Sequence, residues 1–150
     1  MTPPGKRPAN VMVRSRRATT TVEFAICALV MVSIVVGFTE FGRLAWTLEV
    51  LQETAAEGVR CMGLRAASCA SSGVYNAAST TTFITNRAKA RGVVITASAV
   101  ALTSTAVCGG ATGFSRVAIG YNFATVAPLL LAPLLHGFSV NTSACFPNSA

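Results

Sequence analysis

The sequence predicts an α+β protein: a long N-terminal transmembrane helix that continues as an amphipathic one and packs on a small antiparallel β-sheet domain. Three observations predict it. Phe24 to Thr39 (FAICALVMVSIVVGFT) carries no formal charge. The apolar pattern then switches to helical 3, 4 and 7 spacing without a break. Short β-branched runs follow from Val93 onward, and one of them, Arg116 to Phe123, alternates with period two. Composition sets the frame: 150 residues suffice for one ordinary domain, with 52% hydrophobic and only 11% charged residues and a mean hydropathy of +0.57. Soluble domains average about 25% charged residues, so part of this apolar surface meets lipid or a partner.

Residues 1–18 form a basic leader, with Lys6, Arg7, Arg14, Arg16 and Arg17 and no acid. The other seven cations face five glutamates, so most of the net charge of +7 belongs to this leader. A basic leader directly before an apolar run is the usual cytoplasmic flank of a membrane segment. That reading is preferred over a polybasic tail on nucleic acid or anionic lipid, and no nucleic-acid partner is expected. Residues 19–40 form the transmembrane helix. The uncharged run alone covers about 24 Å of a ~30 Å hydrocarbon core, and Val22, Phe41, Leu44, Trp46 and Leu48 extend it. Trp46 suits the far interface.

Residues 41–62 continue the helix. Phe41, Leu44, Ala45, Leu48, Leu51, Ala55, Val59 and Met62 form one apolar face, with Glu40, Glu49, Glu53 and Glu57 on the other side and a possible Glu57–Arg60 pair. Residues 63–150 form a small exported α+β domain: a helix over Thr80–Arg91, strands at Val93–Thr96, Val100–Thr103, Arg116–Phe123 and Phe138–Cys145, and loops between. The cations Arg87, Lys89 and Arg91 read as a solvated stretch. The segment VAPLLLAPLLHGF, broken by Pro128 and Pro133, is too short to span; it lies against the membrane or the long helix, or serves as a buried connector.

Chemistry is constrained by what is missing. There is no Asp, and no acid follows Glu57. Carboxylate pairs, Ser-His-Asp triads and carboxylate-rich metal sites are therefore excluded from the exported domain. His136 is the only His and has no evident partner. We expect no enzyme, catalytic residue, cofactor or metal site. Cys27 sits in the apolar helix as a small hydrophobe. The other four cysteines fall on the far side, an even number that suits an oxidising compartment, and no CxxC or Cys/His spacing supports zinc. Their three pairings stay open. Cys61–Cys69 is disfavoured, since eight helical residues span about 12 Å against a ~7 Å limit, unless a turn after Met62 closes the gap. Cys69–Cys108 is the expected bridge.

Glu23 lies just inside the apolar run, in TTTVEFA. A carboxylate at mid-membrane costs about 2.5–3.5 kcal/mol, less near an end. It rests at headgroup level beside the helix N-terminus, or it has a specific cationic partner. The layout of basic leader, small residue, four residues, Glu, aromatic and long apolar helix resembles type IV prepilins and pseudopilins. More narrowly, Val22-Glu23-Phe24-Ala25, Glu40-Phe41-Gly42-Arg43 and Ala55-Ala56-Glu57-Gly58-Val59-Arg60 resemble three blocks of the TadE-like family, pseudopilin-like proteins of the tight-adherence (Flp, type IVb) pilus machinery. The likeness covers residues 16–62. It implies cleavage by a prepilin peptidase between Ala18 and Thr19, with Ala18 replacing the usual Gly, and it makes Glu23, followed by Phe24, the +5 carboxylate that offsets a neighbouring subunit's ammonium. It also implies a single-pass protein of a bacterial inner membrane, N-terminus cytoplasmic, acting with other pilus-assembly or pseudopilin subunits. The rival reading is an uncleaved, signal-anchored exported domain with a binding or enzymatic role. A removed signal peptide would need an A-x-A-like site, and GFTEFGRLAW has none.

Overall fold

The computed structural model describes residues 10–126 and 138–148, with side chains from Thr19 onward. The chain combines a long N-terminal apolar helix with small antiparallel sheets, the α+β class expected. Helix α1 spans Asn10–Gly63. It starts well before the expected residue 20, because Val11–Ala18 contains no Pro or Gly to interrupt it. The chain divides into two compact units, one ending at Thr39 and the other beginning at Glu40.

The first unit is helical throughout its described length. Its side chains from Thr19 to Phe38 are exposed apart from half-buried Ala28 and Val36.

In the second unit, α1 contributes Val50, Leu51, Ala55 and Val59 to the core. Gly58 permits close packing there, since a Cβ would lie 2.6 Å from Ile84 Cγ1. Of the expected apolar face, Leu51, Ala55, Val59 and Met62 are buried, while Phe41 and Ala45 are exposed.

The helix ends in a Schellman-type reversal. The Ala66 N–H donates to Cys61 O and the Arg65 N–H to Met62 O, with Arg65 in the left-handed region at φ 49°. This reversal brings Cys69 back to 5.8 Å from Cys61, Cα to Cα, and the two form a disulfide. Strands β1 (Ala70–Ser71) and β2 (Val74–Tyr75) then make a two-residue hairpin.

Helix α2 spans Ala77–Ala90, three residues earlier at its start than expected, because Asn76 caps it by accepting from the Ser79 N–H. Ile84 and Ala88 point into the core. Val93–Thr96, expected as a strand, pairs with nothing in a sheet; Val93 and Ile95 instead anchor an extended connector in the core. A 3₁₀ turn at Ala97–Ala99 leads into β3 (Val100–Cys108), β4 (Ala111–Asn122) and β5 (Ser139–Pro147).

These strands form an antiparallel sheet in the order β3-β4-β5. Central Ile119 faces Val100 on one side and Thr142 on the other. The alternation read in β4 is real: Val117, Ile119 and Phe123 are buried. Each large apolar side chain in this core contributes about 1.5–3 kcal/mol by burial.

The second disulfide joins Cys108 to Cys145. The expected Cys69–Cys108 bridge is therefore incorrect. Strands flanking a common neighbour in a flat sheet lie about 9.6 Å apart, yet these Cα atoms are 6.5 Å apart. The hairpin end departs from flatness where β3 breaks register after Thr103 and where Gly109, Gly110 and Gly113 take positive φ. Residues 127–137, with Pro128, Pro133 and His136, lie outside the described residues, as do residues 1–9 of the leader.

Candidate functional site

The first candidate is the exposed apolar helix of the first unit. Val22, Phe24, Ile26, Leu29, Met31, Ile34 and Val35 are all exposed. At about 100° per residue they cover every side of the helix, the pattern of a segment surrounded by lipid. Its most apolar window reaches a mean hydropathy of 2.3 with nothing buried. Thr19 to Thr39 covers about 30 Å, one hydrocarbon thickness.

Two hydroxyls here, those of Ser33 and Thr39, are satisfied within the helix. Ser33 Oγ donates to Leu29 O and Thr39 Oγ1 to Val35 O, both at 2.8 Å. Such internal bonding suits a segment without water. This one N-terminal apolar helix fits a single-pass membrane anchor. Glu23 and Phe24 are exposed on it, four and five residues beyond Thr19, and Cys27 is a free, exposed thiol. Ala18 lies within α1.

The second candidate is the Glu40 cluster. Sequence periodicity placed Glu40 on the polar side of the helix, but it is 1% exposed. Its Oε1 accepts from Arg43 Nη1 at 2.9 Å and from the Val126 N–H at 3.0 Å, while Oε2 has no hydrogen-bond partner among the described residues. Arg43 also lies over the Phe123 ring, 5.4 Å from its centroid. A buried carboxylate without these partners would be strongly destabilising. The Glu40-Phe41-Gly42-Arg43 block thus works as a clasp on a segment 86 residues away. The i, i+3 spacing of Glu and Arg, within a block already marked by its family resemblance, was the sequence signal, and it could not name Val126.

The third candidate joins α1 to the end of α2. Arg91 Nη2 donates to Glu57 Oε1 at 2.7 Å and lies 3.6 Å from Glu53 Oε2. Arg91 Nη1 reaches Thr54 Oγ1, and Arg87 Nε sits 3.5 Å from Glu57 Oε2. The hydrogen bond that Arg91 donates to Glu57 raises the pKa of its guanidinium above the usual range. Burial opposes this, and the Glu57 and Glu53 charges add to it. Two expectations are corrected: Glu57 pairs with Arg91 and Arg87, not with Arg60, and those α2 cations hold the helix pair together. Neighbouring Ala55, Gly58 and Val59 are buried, so one motif block supplies both packing and ion pairing.

Among the described residues, no cluster of His, Cys, Asp or Glu is arranged to hold a metal ion.

A family model described as a TadE-like protein matches residues 18–60. No curated protein matches the chain, and no solved structure does. The match points to a Tad pilus-associated protein, from a family that is non-enzymatic in general. Over residues 18–60, which hold the exposed apolar helix, Glu40 with Arg43, and the Glu57 ion pairs, the chain is TadE-like.

Proposed function

We propose that this protein is a pseudopilin-like subunit acting in assembly of a Flp (type IVb, tight-adherence) pilus. It is anchored in the bacterial inner membrane by residues 19–40, with its N-terminus cytoplasmic and residues 63–150 exported. A prepilin peptidase cuts between Ala18 and Thr19, and the subunit then packs laterally against other pilus-assembly or pseudopilin subunits. The observation that carries this reading is the helix from Thr19 to Thr39, apolar and exposed on all sides, with Glu23 as its carboxylate. Cleavage frees the α-amino group of Thr19. In a low-dielectric layer the Glu23 carboxylate then gains far more from a neighbouring subunit's ammonium than it would in water. The two disulfides of the second unit fit an oxidising, exported side.

Glu23→Ala tests the role of that carboxylate. Membrane insertion should survive or improve while pilus assembly fails; unchanged assembly would remove Glu23 from the mechanism. A second reading is an uncleaved signal anchor. It is favoured by α1 running unbroken from Asn10 through Ala18 and Thr19, which requires the peptidase to unwind its site. In that reading Glu23 sits at headgroup level and the exported unit acts alone.

A further inference from the structure

One end of the second unit gathers four exposed apolar side chains from three chain segments: Phe41 (70% exposed), Trp46 (61%), Val126 (70%) and Phe138 (42%). The contacts that collect them are specific. Glu40 holds the Val126 N–H. Arg43, bound to the same carboxylate, covers Phe123, whose N–H donates to Phe138 O at 3.0 Å. Trp46 Nε1 donates to Arg91 O at 3.4 Å. From Glu40, the helical repeat puts Phe41 about 100° to one side of α1 and Trp46 about 120° to the other. The two rings therefore flank the buried stripe.

The charge at this end is one-sided. Glu40 is withdrawn from the surface and bound to Arg43, whose side chain stays 43% exposed. The next carboxylate along α1, Glu49, is about 13 Å further on, and no acid follows Glu57.

We propose that this end of the unit is a membrane seat for the phospholipid surface on the exported side. Phe41, Trp46, Val126 and Phe138 enter the boundary between headgroups and acyl chains, and Arg43 faces the phosphates. Aromatic side chains with an adjacent cation are the composition that favours this layer. Covalent continuity selects lipid as the occupant, because Phe41 follows the Thr19–Thr39 run by two residues. Docking from several segments fixes the orientation of the exported unit on the bilayer, where a bare anchor would let it swivel. The inference rests on the anchor reading.

The test uses single-Trp versions of the full chain in phosphatidylcholine vesicles, since Trp46 is the only tryptophan. In a Trp46→Phe background, Val126→Trp reports the seat and Leu29→Trp, also at an exposed site, reports the span. Each is measured with lipids brominated either high or deep on the acyl chain. The expected result is loss of Leu29→Trp emission with deep bromines and loss of Val126→Trp emission with shallow ones. Quenching of Leu29→Trp without Val126→Trp would overturn the seat and leave the anchor standing. Absence of quenching at both positions would overturn the anchor and the seat together.

Discussion

Removing the two disulfides should cost unequal amounts. Cys61–Cys69 closes a loop of 8 residues and Cys108–Cys145 one of 37. Loop-closure entropy assigns about 2.5 kcal/mol to the first and about 3.8 kcal/mol to the second. The pair Cys108→Ala/Cys145→Ala should therefore destabilise the chain about 1.3 kcal/mol more than Cys61→Ala/Cys69→Ala, read from denaturant midpoints at constant slope. Non-reducing tryptic maps check the connectivity itself. With cleavage at Arg60, Arg65, Arg87, Arg91 and Arg116, peptide 61–65 should remain joined to 66–87, and 92–116 to 117–150. A species joining 66–87 to 92–116 would refute the pairing. A larger loss from the shorter loop would refute the entropic argument.

Further outcomes follow from packing. Leu51→Ala, at a fully buried position, should cost about 2–5 kcal/mol in thermal or chemical unfolding. Asn76→Ala removes the α2 cap and should cost about 1 kcal/mol. Arg65→Gly relieves a left-handed backbone at φ 49° and should stabilise the unit by up to about 1 kcal/mol, less the extra chain entropy of glycine. Arg91→Ala should cost about 1 kcal/mol, a loss that shrinks in high salt if the Glu57 and Glu53 pairs carry it.

The parts of the structure governed by one-dimensional pattern were legible in the sequence. The uncharged run from Phe24 and the spacing of Leu51, Ala55, Val59 and Met62 fixed a long helix and its buried side. The alternation at Val117, Ile119 and Phe123 fixed the central strand. Elements set by tertiary contact were not legible. Glu40 has a polar side chain on a helix edge, and its burial is made tolerable by the Arg43 ion pair together with the N–H of the distant Val126. Val93 and Ile95 have strand-like composition, yet no neighbouring strand offers them a ladder. The disulfides depended on where the chain reverses. Arg65 in a left-handed conformation and the glycines near Cys108 bring together cysteines that straight elements would keep apart. Arg87 and Arg91 read as solvent-facing because their partners, Glu53 and Glu57, lie on another helix.

The central claim is that the Thr19–Thr39 helix belongs to a processed, pseudopilin-like subunit. Mass spectrometry of the mature N-terminus, from membranes of cells with and without their prepilin peptidase, tests it most directly. The account predicts a chain beginning at Thr19 only when the peptidase is present. A chain beginning near Met1 in both would contradict it and leave an uncleaved, signal-anchored exported unit.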